Sequence, residues 1–151
     1  MRDCGVTGVP GFVYAKDVVH HQTRPFEFLE DLLGQATQGA IVRLRTRDVG
    51  PTELDPDRSC QYYSGGWVPY IVMNLQEVID RIRRVVPQSE IVVCRHHLIL
   101  GGQLNRFLPK DCYLPETGTA ETAVGVFLKT ARPGHVTITD QDNEQPAKTL
   151  L

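Results

Sequence analysis

The stretch Asn74–Leu100, NLQEVIDRIRRVVPQSEIVVCRHHLIL, changes its apolar period half-way along. Leu75, Val78, Ile79, Ile82, Val85 and Val86 recur at three- and four-residue spacing, which lays them on one stripe of a helix over 74–86. Asn74 with Glu77 three residues on makes a capping-box-like start. Glu77 with Arg81, and Asp80 with Arg84, stand at the i,i+4 spacing that supports a helix. Pro87 stops it. Glu90–Leu100 is then dense in β-branched residues and predicts a long strand, broken by Gly101-Gly102.

Working outward toward the N-terminus, Gly11–His21 predicts a first strand. Thr23 is placed to cap a helix over Pro25–Ala36, with Pro25 in the first turn and Phe26, Leu29, Leu32 and Leu33 on its apolar side. Ala40–Arg47 alternates, so Val42, Leu44 and Thr46 face one way and Arg43, Arg45 and Arg47 the other. Two shorter strands follow at Cys60–Tyr63 and Trp67–Met73, separated by Ser64-Gly65-Gly66. Pro69 marks the second as an edge strand or a late start. Toward the C-terminus, Gln103–Phe107 predicts a short helical turn. Ala123–Thr130 and His135–Thr139 read as a hairpin across ARPG.

The order is β-α-β-β-α-β with a C-terminal β-hairpin added. It predicts an α+β fold, a two-layer sandwich of a mainly antiparallel sheet and two helices in the ferredoxin-like order. One domain is expected over residues 1–139, with 140–151 a flexible tail. A fold of this kind carries no function by itself.

The chain has 151 residues, a net charge of -2 and 23% charged residues. That balance lacks the positive excess of a nucleic-acid binder, and no nucleic-acid partner is expected. Arginine outnumbers lysine twelve to four, which reads as GC-rich coding composition. No apolar run reaches the length of a membrane span, and MRDCGVTGVPGF has no signal-peptide core, so a cytoplasmic protein with no membrane partner is expected. Leu114–Gly118, LPETG, spells a sortase recognition string, but the apolar core after it is only strand-sized, so the string reads as a turn before a strand. Cys4, Cys60, Cys94 and Cys112 form no C-x-x-C pair, and reduced thiols are expected. Cys94 reads as a core residue and Cys4 as an exposed one.

Six places are candidates for chemistry. His20-His21 and His96-His97 suggest zinc with the cysteines. In the ferredoxin-like order, however, the two pairs stand roughly 15–20 Å apart, so neither a metal nor a cofactor is expected. CRHHLILGGQLNRF resembles an anion cradle, with Arg95, His97, Asn105 and Arg106 as donors. GVTGVPG, with Gly5, Gly8 and Gly11, is weaker because no strand precedes it. Arg43, Arg45 and Arg47 lack the interleaved aromatics of an RNA-binding sheet and read as a charged edge. QYYSGGWVPY gathers Tyr62, Tyr63, Trp67 and Tyr70 around two glycines, residue types that anchor ligands and partners. Asp48, Glu53, Asp55 and Asp57 form an acidic loop with no spacing that assigns acid and base roles.

The reading these residues favour is a non-catalytic binding module for a small anionic or aromatic ligand or a protein partner. Its site would use Tyr62, Tyr63, Trp67, Tyr70, Arg95, His97 and Arg106, and a homodimer through a sheet or the C-terminal hairpin is its expected assembly. The alternative is a small enzyme with His97 as general base in a cleft.

Overall fold

The structure, a computed structural model, describes residues 11–141. The chain runs β1 (Phe12–Lys16), α1 (Pro25–Gln35), β2 (Gly39–Arg47), β3 (Cys60–Tyr63), β4 (Gly66–Pro69), β5 (Met73–Asn74), α2 (Leu75–Val85), β6 (Glu90–His97), β7 (Arg106–Phe107), β8 (Ala120–Phe127) and β9 (Val136–Asp140). Short 3₁₀ turns cover Val19–His21, Lys110–Tyr113 and Pro115–Thr117. No helix among the described residues is long and apolar enough to cross a membrane. Cys4, Gly5 and Gly8 lie outside the described residues, as does the tail beyond Gln141. Asp140, which composition places in that tail, ends β9 and pairs with Arg95.

The fold is a mixed α+β arrangement of two helices and a multi-stranded sheet. The main sheet has the order β1-β2-β8-β6-β9, with β5 beside β2. β1 pairs parallel with β2, and β6 parallel with β9, while β8 is antiparallel to both its neighbours. The ferredoxin-like order would set β1 beside β6, but here β2 and β8 stand between them. The helix α1 carries the chain directly back to an adjacent parallel strand, the βαβ crossover that needs a dozen or more residues. β8 and β9 do not form a hairpin. β8 fills the slot between β2 and β6, and β9 adds to the far edge of β6.

Strand parity decides the core. Val42, Leu44, Ile91, Val93, Val124 and Val126 share one buried cluster with Phe26, Leu29 and Leu33 of α1 and Val78, Ile79 and Ile82 of α2. The opposite face carries Phe12, Tyr14, Ile41 and Phe127. Rings of Phe12 and Phe127 lie over Gly39 and Gly125, where a Cβ would meet them at 2.8 Å and 3.0 Å. Cys94 belongs to this outward parity and is not a core residue; among the cysteines of the described residues, Cys112 is the buried one.

Several local expectations change. The first strand stops at Lys16 because Asp17 turns left-handed, at φ 55°. α1 takes Arg24 as its N-cap, and no side chain caps it, Thr23 included. α2 keeps the Asn74 cap, accepting from the Glu77 N–H at 3.1 Å. The reciprocal bond runs through Thr52, whose hydroxyl accepts from Asn74 N at 2.8 Å and donates to Glu77 at 2.6 Å. Arg81 and Arg84 both reach Glu30 of α1 rather than acids on their own helix, at 2.9 and 2.8 Å. Those two guanidiniums hold the Glu30 carboxyl below its ordinary pKa.

β2 lies between β1 and β8 and is no edge, so its arginines are not a solvated row. Arg43 pairs with Glu121, Arg45 with Asp17 and Glu121, and Arg47, 2% exposed, with Asp111. The LPETG string is a 3₁₀ turn and a left-handed Gly118 before β8, and Thr117 O accepts from the N–H groups of Asp48 and Val49.

Candidate functional site

β3, β4 and β7 form a second, three-stranded sheet in the order β4-β3-β7. Ser64 and Gly65, both at positive φ, make the two-residue turn whose twist suits a hairpin. Gln103–Phe107 is therefore not a helical turn: Arg106 and Phe107 pair with Gln61 and Cys60. Alternation divides this sheet into two chemically different faces. Cys60, Tyr62, Trp67 and Phe107 share the outer parity, and Gln61, Tyr63 and Arg106 the inner one.

The inner face closes over a pocket of about 580 Å³ against the main sheet. Its polar lining includes Asp17, His20, His21, Arg45, Tyr70 and Arg106. The break at Asp17 builds it. On a continuing strand His20 and His21 would point to opposite faces, but on the 3₁₀ turn their rings lie 4.2 Å apart. Ile71 N–H donates to His20 O at 2.8 Å, and His21 Nδ1 lies 2.7 Å from Pro69 O. A carbonyl oxygen can only accept, so that second contact puts a proton on His21 Nδ1.

His20 is fully buried, and neither ring nitrogen has a hydrogen-bond partner. Burial, then the neighbouring His21 and Arg45, drives its pKa from 6.5 down to about 3 against the opposing pull of Asp17. It is a neutral imidazole with one free donor and one free acceptor. Tyr70 stands edge-on to His20, ring centroids 5.2 Å apart. Its oxygen accepts from Arg45 Nε at 3.1 Å, and burial raises its pKa, so the phenol keeps its proton.

The two arginines differ. Arg45 is satisfied by Tyr70, Asp17 and Glu121. Arg106 lies over the Tyr70 ring, 4.6 Å from guanidinium carbon to centroid, and donates to Leu100 O at 3.1 Å. Its Nε is buried without a partner, and no carboxylate among the described residues lies within ion-pair distance. A net positive, partly desolvated group beside a phenol O–H and an imidazole N–H can hold an anion.

The residues singled out from the sequence thus divide among three places. Tyr63, Tyr70 and Arg106 reach the inner pocket. Trp67 lines an outer cleft, with Tyr62 packed edge-on to it at 5.6 Å. Arg95 and His97 lie elsewhere, on β6. Arg95 is clamped between Asp48 at 2.5 Å and Asp140 at 2.7 Å. His97 Nε2 is 3.5 Å from Asp48, and its Nδ1 is 3.9 Å from Asp140. β7 rather than a helix follows Gly101-Gly102, and Gly101 packs under the Tyr113 ring, so the strand–glycine–helix geometry expected there is not present.

Cys94 and His96 do share a face, in a groove with Arg43 and Glu121. No group of three His, Cys, Asp or Glu side chains among the described residues could hold a metal ion. Sequence reasoning weighed His20 and His21 only as zinc ligands and Arg45 only as part of a charged edge, and passed over Asp17 as a site residue. Only the left-handed conformation at Asp17 brings them in, and Asp is one of the few non-glycine residues that adopts it readily. Compared with known protein families, with curated proteins and with solved structures, the chain matches none.

Proposed function

We propose that this protein is a small-molecule binding module whose ligand presents an anionic group, a carboxylate or a phosphate, to Arg106 in the pocket bordered by Tyr70 and His20. One observation carries the reading. Arg106 is partly buried, pinned over Tyr70 and without a carboxylate, whereas Arg45, Arg47, Arg81 and Arg95 each have one. A guanidinium left unpaired at the wall of a pocket is costly unless a ligand completes it. The pocket volume falls within the range of small-ligand sites.

Binding is preferred over catalysis because His20 stays unprotonated down to about pH 3 and is a weak base at neutral pH. His97 has carboxylates near both ring nitrogens, and the same carboxylates also hold Arg95.

Thermal unfolding in inorganic phosphate and in acetate, against chloride at equal ionic strength, tests the proposal. A bound anion at ten times its Kd stabilises the folded state by about 1.4 kcal/mol. One of the two anions is expected to raise the Tm of the wild type and to leave Arg106→Gln unmoved. An equal response in both proteins refutes the assignment.

A further inference from the structure

The outer face of the small sheet carries a second cleft, of about 590 Å³, that the anion pocket does not use. Trp67 and Phe107 stand in it, 58% and 56% exposed, beside Pro56, Val68, Pro69 and Asp57. We propose that this cleft binds a free quaternary ammonium compound.

Three features converge on that class. The faces of aromatic rings carry negative potential and attract cations. Asp57 is the one charged residue in the lining, and no lysine, arginine or histidine belongs to it. Its carboxylate has no ion-pair partner among the described residues, while Glu53 on the same loop is matched by Arg58. The rest of the lining is uncharged and mostly apolar, with Thr23 and Cys60 the exceptions. A primary ammonium is strongly hydrated and loses that water at a cost, whereas N-methyl groups spread the charge over a surface that proline, valine and indole can cover. The volume fits a small free ligand. The two sites differ in charge: Arg106 and Arg45 line the inner pocket, and Asp57, on the loop before β3, borders the outer cleft, with Val68 and Pro69 common to both linings.

Trp67 is the only tryptophan in the chain, so its emission reports this cleft directly. The experiment titrates choline into the full-length protein at constant ionic strength. Its uncharged isostere 3,3-dimethylbutan-1-ol and a trimethyl-lysine peptide are run in parallel. The expected result is a saturable change with choline, at least fivefold weaker binding of the isostere, and peptide binding no tighter than choline. Asp57→Asn is expected to weaken choline at least threefold and leave the isostere unchanged. Arg106→Gln is expected to leave the choline response intact, which keeps this inference separate from the anion pocket. No saturable change with choline, equal binding of the isostere, an unaltered choline affinity in Asp57→Asn, or tighter binding of the peptide would each overturn it.

Discussion

Replacing His20 with leucine is expected to remove a specific part of the acid sensitivity of this fold. His20 is fully buried, and its folded pKa of about 3 lies far below the ordinary 6.5. A histidine whose folded pKa is lowered contributes stability that is present above the unfolded value and lost as pH falls toward the folded one. Near pH 5 the unfolded chain holds almost a full proton on this ring and the folded chain holds none. The linkage amounts to about 2 kcal/mol between pH 8 and pH 5. The figure depends little on the folded value, provided that value stays well below 5. Leucine has no proton to take up and nearly the same volume, and it removes two buried nitrogens without partners. Urea unfolding of both proteins at the two pH values isolates the effect, because every other titrating group cancels in the difference. The wild type should lose about 2 kcal/mol more than His20→Leu on going to pH 5. At pH 8 the variant should be no less stable than the wild type, since an unpartnered buried polar group costs free energy. Parallel losses in the two proteins would refute the reasoning, and so would a larger loss in the variant.

Two further outcomes test the frame that holds the pocket. Asn74→Ala removes the α2 cap and the 2.8 Å bond to Gly50 O, and should cost about 1–2 kcal/mol in the same urea assay. Glu30→Gln should destabilise the protein at neutral pH. Because Arg81 and Arg84 lower the Glu30 pKa, the wild-type advantage should shrink as pH falls through the carboxylate range, as read from melts across that range.

The helices were the most legible part of the sequence. An apolar stripe at helical spacing is a local signal, and α1 and α2 follow it to within a residue or two. The strands were legible singly but not in their pairing. β8 and β9 are separated by ARPG, which suits a hairpin, but β6 has two open edges and takes both of them. The arginines of β2 show the same limit. Alternation assigned their face, but only the neighbouring strands supply Glu121 and Asp17 to neutralise them. At the candidate site, QYYSGGWVPY was recognisable by composition, and the alternation within it separates inner from outer residues. What the sequence concealed was one backbone conformation, at Asp17, that turns two histidines out of a strand and into a pocket.

The central claim is that an anion binds at Arg106. The most direct measurement is a ¹⁵N–¹H correlation spectrum of the arginine Nε–H groups, titrated with inorganic phosphate and, separately, with acetate. The Arg106 signal is identified by its loss in Arg106→Lys. The account predicts a saturable shift of that signal with at least one of the two anions, while the ion-paired Arg45 and Arg95 signals move little. An Arg106 signal that stays fixed for both anions, or shifts that fall only on exposed arginines such as Arg58 and Arg84, would contradict it.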